Sequence, residues 1–551
     1  MMFSPSHLQS VPDYCSANGS VEIGSLSISS PNESQFFGSS SGVFFVNTVL
    51  RAFAEVTPGT PSAETTTQVT GAKSPNAVPV ESCIAEPSND SDMRPAPTPV
   101  EQSYNFAIEN PKTYGISENG LGRPPAPEVA QRLVMSYFEH WHPILPFLHG
   151  PTFLQEMEAF YASDTVNYQN DILPQARDHK TRAVTFQCIL NIANMDMTEN
   201  VSLVESTSAL MSLLGQISMK HDVPSLQALL AAQLYLIASM SLQAASTVGG
   251  MLWRNIFHAG FHRCPVRYVQ LSDHDCEIRK RILWSTYAMD RYLSQALGHP
   301  LGIQDPDIDV CVPGARELHR PVPKPINSRE LQDSEKAMLL HLPEGHPGLN
   351  QQDSLNQRTT SQSEAISQSA TSYSDTCQDQ YRSLKTKQPR HSGEDVLAAY
   401  IGYSRITGHV LELFHKSIHN RSVNNDSILI LTSEVHAWWN NLPQKLQDLP
   451  IDDKQEGSIY SFAPFFTVIY QQLILLINRP SLSLNPTRPA FKSSLQICIG
   501  ASRSIISTLK IHYKNRPHHS APGILSSTWM AGLVIAFACQ LNAYPSQKGL
   551  V

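Results

Sequence analysis

Apolar residues recur at helical spacing along two stretches of this chain, 126–313 and 394–551, and lose that period between and before them. The first stretch opens with Val129, Leu133, Val134, Tyr137, Phe138 and Trp141 on one face of a helix entered after Pro124, Pro125 and Pro127. A Pro-rich turn follows, and Thr152 with Gln155 has the spacing of a capping box for the next helix. Further helices are expected at approximately 179–195, 200–220, 225–243 and 246–262. The segment 225–243 is apolar almost all round, which places it in the middle of a core. From 272, Ile278, Ile282, Ser285, Met289, Tyr292 and Ala296 form one stripe, and Leu283, Thr286, Asp290, Leu293 and Leu297 form a second beside it. Ser272 and Asp273 stand where an N-cap belongs, with Asp275 and Glu277 near the positive end of the helix dipole. Gly298 is placed to stop this helix, and Pro300, Pro306 and Pro313 forbid its resumption. In the second stretch, helices are expected at 394–419, 426–441, 459–478, 490–513 and 522–542. Neither stretch shows strand alternation, so the fold class is all-α.

Composition changes the picture outside those stretches. Of 551 residues, 41% are hydrophobic, 16% charged and 39 are proline, a balance that fits folded and disordered parts in one chain. Residues 1–125 are rich in Ser, Pro and Thr and read as a disordered acidic tail. Residues 1–127 carry 5 Lys/Arg against 12 Asp/Glu, a net −7 out of the chain's −8, so the remainder is nearly neutral at −1. No basic face for phosphates is visible in it. Within the tail, the aromatic patch 36–56 reads as a docking segment, as a fragment packing on the core, or as translated intron. Residues 314–393 read as a disordered insert, since 351–380 alone hold 18 Ser, Thr or Gln. The N-terminus lacks the basic and apolar regions of a secretory signal, and the longest apolar runs are too short to span a bilayer. Nine scattered cysteines fit reduced thiols rather than a disulfide framework.

Most candidate chemistry falls away on inspection. No Cys-x2-Cys step occurs anywhere, so no zinc finger or cysteine cluster is specified. His258, His262 and Cys264 have metal-like spacing, but Ala259 stands where a metallohydrolase helix needs glutamate. Asp305, Asp307 and Asp309 begin like a calcium loop, yet Val310 and Arg316 occupy its obligatory glycine and glutamate positions. Gly38-Ser39-Ser40-Ser41-Gly42 matches a nucleophile elbow without the strand and helix that would make it one. Arg279, Lys280 and Arg281 are expected to be paired or solvated, with Glu277 one turn before Arg281. Asp290 and Arg291 are expected to link helices through buried polar contacts, because unpaired charge there is costly. Residues 385–391 (KTKQPRH) are a weak nuclear-targeting candidate. No catalytic, cofactor-binding or metal-binding residue is assigned.

One stretch nevertheless identifies a relationship. The run 279–284 (RKRILW), then Asp290-Arg291, Gly298-His299-Pro300-Leu301 and Asp307-Ile308-Asp309-Val310, resembles the regulatory domain of fungal zinc-cluster transcription factors, the fungal-specific transcription factor domain or middle homology region. Tyr137, Phe138, His142, Pro143, Pro151, Thr152 and Phe153 match the opening of that domain, and Asn478-Arg479-Pro480 resembles the exit of one of its later helices. The resemblance is clear over 126–313 and looser over 394–542. It implies a multi-helix regulatory domain with Pro143, Pro151, Phe153, Arg281, Trp284, Asp290, Arg291, Gly298, Pro300, Asp307 and Asp309 as structural signature positions. It further implies a nuclear regulator of a fungal gene set, of a metabolic or secondary-metabolite pathway. Homo- or heterodimerisation, the transcription machinery and a small-molecule effector are the implied partners, with no membrane. Family members hold DNA through a six-cysteine zinc cluster whose ligands this chain lacks. Three readings of that lack are ranked in order: a truncated gene model, a co-regulator acting through a DNA-binding partner, and an uncharted DNA contact. The rival from another class is a helical metal-binding enzyme built on His258, His262 and Cys264.

Overall fold

The computed structural model describes residues 24–30, 33–56, 120–162, 173–197, 199, 201, 204–319, 392–415, 425–449, 460–512 and 523–545. Among them run a hairpin, β1 (Gly24–Ser30) and β2 (Glu33–Gly38), then α1 (Gly42–Val56), α2 (Pro127–His140), α3 (Gly150–Ala162) and α4 (Leu173–Met197). They continue with α5 (Thr207–Ile217), α6 (Val223–Ala238), α7 (Leu242–His258) and α8 (Asp273–Leu297). After the insert come α9 (Ser392–Phe414), α10 (Asn425–Asn441), α11 (Ala463–Asn478), α12 (Pro489–His512) and α13 (Ile524–Gln540).

The two periodic stretches share one core. In the first, α6 packs on α4 and α7, and α8 packs on α7; in the second, α9 to α13 stack in succession; α8 against α9 joins them. The apolar-all-round segment lies at the centre as expected, with Leu226, Leu229, Leu230, Leu234 and Leu236 fully buried. A helix with no polar face can be soluble only when neighbours cover every side. The buried cluster runs unbroken from Leu133 on α2 through Trp284 on α8 to Phe537 on α13.

Local chemistry sets most ends. Ser272 Oγ accepts the Asp275 N–H at 3.1 Å, the expected N-cap of α8. Gly298 closes α8 in the left-handed region (φ 73°), its N–H returning to Ser294 O at 2.9 Å. Two expectations are corrected. The capping box at Thr152 does not form, because α3 already begins at Gly150; Thr152 Oγ1 instead meets His149 Nδ1 at 2.7 Å. The break between α6 and α7 falls at Met240, which takes a left-handed φ of 62°, and not beyond residue 243.

Of the three readings of the N-terminal patch, the structure bears out packing on the core. Phe37, Phe44, Phe45 and Val49 are buried, so these side chains pack within the chain. Phe45 meets Phe537 of α13 edge-on at 6.0 Å. Ser40 Oγ donates to Gln295 O at 3.1 Å, satisfying a carbonyl that the last turn of α8 leaves without a helical partner. The Arg479 guanidinium, buried at the exit of α11, donates to Ser40 O. Residues 1–23 and 57–119 of the expected tail lie outside the described residues, as do 320–391 of the expected insert.

This corner makes Gly298 doubly constrained. An added Cβ would overlap the Gly38 backbone, and L side chains resist φ 73°. Gly298→Ala is expected to destabilise the chain by roughly 2–4 kcal/mol, the left-handed cost plus overpacking. An unfolding free energy from denaturant titration within about 0.5 kcal/mol of the parent chain, the margin of ordinary surface substitutions, would show that β2 does not press on α8.

Candidate functional site

The signature positions gather where α8 turns into its proline-punctuated exit. Arg291 is only 1% exposed. Its Nη1 reaches Asp290 Oδ2 at 2.7 Å and its Nη2 reaches Asp305 Oδ1 at 2.6 Å. Tyr287 donates to Asp305 at 2.8 Å, and its ring lies 4.1 Å beneath the guanidinium. Asp290 also accepts from Trp253 Nε1 on α7 and from the Gly302 N–H, each at 3.1 Å. Burial opposes the Arg291 charge, but the Tyr287, Asp290 and Asp305 groups outweigh it, so its pKa is raised and the side chain stays charged. Trp284 donates to Cys311 O at 3.1 Å and receives Arg405 of α9 over its ring at 5.3 Å. Gly408 makes room for this brace, since a Cβ there would come within 3.0 Å of Arg291 Nε.

Asp290, Arg291, Trp284, Gly298 and Pro300 are thus brought together, Pro300 through its carbonyl to Ser294 Oγ at 3.2 Å. A second group forms at the other side of α8. There Pro143 lies in the turn after α2, exposed Pro151 opens α3, and buried Phe153 meets Phe138 at 5.8 Å. Arg281 pairs with Glu277 at 3.0 Å, as the spacing predicts, and acts electrostatically on His142 of that turn. Asp307 stands exposed on a 3-10 turn, apart from both groups. Asp309 joins neither group; it is held by Arg267 at 2.9 Å and His319 at 3.0 Å. The basic run is fully engaged: Arg279 lies 4.3 Å over the Phe261 ring and Lys280 pairs with Glu317.

The metal-like trio His258, His262 and Cys264 does not converge. His258 stacks on His221 at 4.9 Å, and His262 meets Phe257 edge-on at 5.3 Å. Cys264 turns instead toward Glu317, Cys311 and His319, residues the periodic pattern could not connect to it. Hydrogen bonding with the Cys311 thiol lowers Cys264 to about 6, while the same bond and then burial push Cys311 up. Burial opposes ionisation of Glu317, but Lys280 and the His319 N–H overcome it and hold its carboxyl at about 2. An open groove of about 390 Å³ lies between α3, α4 and the starts of α6 and α8, lined by His149, Phe153, Glu156, Arg182, Thr185 and His274 among others.

Six of the nine cysteines fall among the described residues. Burial pushes the Cys188 and Cys498 thiols up, Cys498 to about 12 despite the nearby Arg479 guanidinium.

The sequence model described as "Fungal specific transcription factor domain" matches residues 134–440. The chain is 40% identical over 542 residues to the "Probable transcription factor FUP6" of Fusarium proliferatum, covering 96% of this chain and 72% of that protein. It is 23% identical over 395 residues to the "Transcriptional activator protein acu-15" of Neurospora crassa, covering 71% of this chain but 35% of that one. It is 28% identical over 194 residues to the "Activator of stress genes 1" of Saccharomyces cerevisiae, covering 34% and 20%. No solved structure matches.

Proposed function

This chain belongs to the fungal specific transcription factor domain family, and from that premise we propose that it is the helical regulatory body of a nuclear regulator of a fungal gene set, in a metabolic or secondary-metabolite pathway. The observation that carries the reading is the family match over 134–440, whose described residues pack together, with signature side chains bracing α8 against α7, α9 and its own exit. Buried ion pairs of this kind hold helices in register and leave no charge free to react. Recognition of DNA is assigned to a partner or to sequence beyond these residues. Three facts support that: the chain's net charge is −8, no Cys-x2-Cys step occurs, and Arg279, Lys280 and Arg281 are engaged internally. The groove beside His149 and His274 is where a small-molecule effector would dock.

The test has two arms. Fused to a heterologous DNA-binding domain and tethered over a reporter in a filamentous fungus, residues 1–551 are expected to change transcription several-fold relative to the DNA-binding domain alone. Unchanged output from a fusion present in the nucleus would sink the regulatory reading. In gel-shift assays the chain by itself is expected to give no sequence-specific shift. A sequence-specific shift would move the DNA reader into this chain.

A further inference from the structure

We propose that Cys264, Cys311, Glu317 and His319 form a zinc site, independent of the transcriptional reading and unrelated to any cysteine cluster for DNA. Cys264 Sγ stands 3.5 Å from Glu317 Oε1, and Cys311 Sγ stands 3.4 Å from the same oxygen. His319 Nδ1 lies 3.5 Å from Cys311 Sγ and 3.5 Å from Glu317 Oε1. One ligand atom each from Cys264, Glu317 and His319 fall within 4.8 Å of one another. Zinc bonds of roughly 2.0–2.3 Å at tetrahedral angles put neighbouring ligand atoms about 3.3–3.8 Å apart. The four distances measured here lie in that interval before any ion is present.

The surroundings are those of a ligand set rather than of a casual cluster. His319 directs Nδ1 at the thiols while its Nε2 is bonded to Asp309 at 3.0 Å, which fixes the ring in the manner of an outer carboxylate behind a metal-bound histidine. Asp309 is in turn anchored by Arg267 at 2.9 Å. Glu317 keeps Oε1 toward the sulfurs and gives Oε2 to Lys280. The Leu318 N–H points at Cys311 Sγ at 3.5 Å, and Trp284 pins the Cys311 carbonyl. Both cysteines are buried, and Glu317 and His319 are about four-fifths covered.

Charge also closes. On binding, the two thiols release their protons to solvent; two thiolates and one carboxylate around a divalent ion leave one negative charge, which the Lys280 ammonium neutralises. Sulfur with imidazole and a single carboxylate selects zinc over calcium or magnesium. The ion would fasten the segment 308–319 to the corner at 262–267 and to α8, at the point where the chain leaves its first helical half.

The experiment uses the tag-free full chain, reduced, equilibrated with micromolar zinc sulfate and dialysed before elemental mass spectrometry. About one zinc per chain is expected, with Cys311→Ser and His319→Ala each reducing it to background and Cys539→Ser leaving it unchanged. Cobalt(II) in place of zinc is expected to give thiolate charge-transfer absorption and intense tetrahedral bands, lost in Cys311→Ser. Asp309→Asn, a positioning change, is expected to weaken zinc by about 10–100-fold while keeping the cobalt spectrum. His319 is partly exposed and lies outside any helix, so His319→Ala separates ligand loss from misfolding. The proposal is overturned by a reduced chain that takes up no zinc, by wild-type affinity in Cys311→Ser or His319→Ala, or by a Cys264–Cys311 disulfide forming in place of metal uptake.

Discussion

Replacing Arg291 with methionine is expected to destabilise the chain by roughly 3–5 kcal/mol, the cost of removing one partner from a buried ion pair. The side chain is 1% exposed and carries the only cation bonded to Asp290 among the described residues. Methionine fills much of the same volume, so the loss reports charge rather than a cavity. Asp290 would keep the Trp253 and Gly302 donors but face an uncompensated charge in a dry site. Asp305 suffers less, because its side chain is 41% exposed and water can take over. The double variant Arg291→Met with Asp290→Asn is therefore expected to recover a substantial part of the loss, while Arg291→Met with Asp305→Asn recovers little. Unfolding free energies for the parent chain, the single variants Arg291→Met, Asp290→Asn and Asp305→Asn, and the two doubles form the two cycles that check it. A loss below about 1 kcal/mol, the range of a surface pair, would mean that the signature aspartate and arginine do not brace α8.

The helices of this fold were legible because their evidence is local. A 3.6-residue stripe needs no knowledge of partners, and α8 with Ser272 and Gly298 at its ends lies where the pattern puts it. Asp290 and Arg291 were legible as a buried link because two charges on an apolar face have few other fates. Other features needed information from elsewhere in the chain. Met240 ends α6 in a left-handed conformation that glycine or asparagine would have signalled and methionine does not. The 36–56 patch stood out by its aromatics, but composition could not choose among its readings or give Phe45 and Ser40 their places on α13 and α8. Asp305 was weighed only against a calcium loop, though it serves Tyr287 and Arg291, 18 and 14 positions away. Glu317 and His319 fell in a stretch read as insert. Their meeting with Cys264, 53 positions from Glu317, exists only once the exit has folded back. Contacts at such separations carry no sequence period, so spacing rules written for short metal motifs pass over them.

Acid is expected to weaken the chain through His142, and the sign follows from where its proton is refused. The imidazole lies in the turn after α2 with Nδ1 buried and without a hydrogen-bond partner, packed on Phe138 at 4.8 Å. Burial first, then the positive field of Arg281 and His149, lowers its pKa from 6.5 to about 3. Between those values the unfolded chain binds a proton that the folded chain does not. Stability contributed by neutral His142 is therefore complete above the unfolded pKa and is lost as pH falls through the window below it. From pH 6.5 to 4.5 the loss is roughly 2 kcal/mol, at about 1.36 kcal/mol per pH unit once both limits are cleared. His409 runs the other way, since its bond to Glu434 raises its pKa and stabilises on the acid side, but half-exposure keeps that term small. Comparing the chain with His142→Phe cancels every group the two share, including His409. The variant is expected to gain on the parent as pH falls, by about 2 kcal/mol over that interval, whatever its cost at neutral pH. Parallel stability curves from pH 6.5 to 4.5 would show that the folded state admits the proton, and hence that this turn opens to water beside α8.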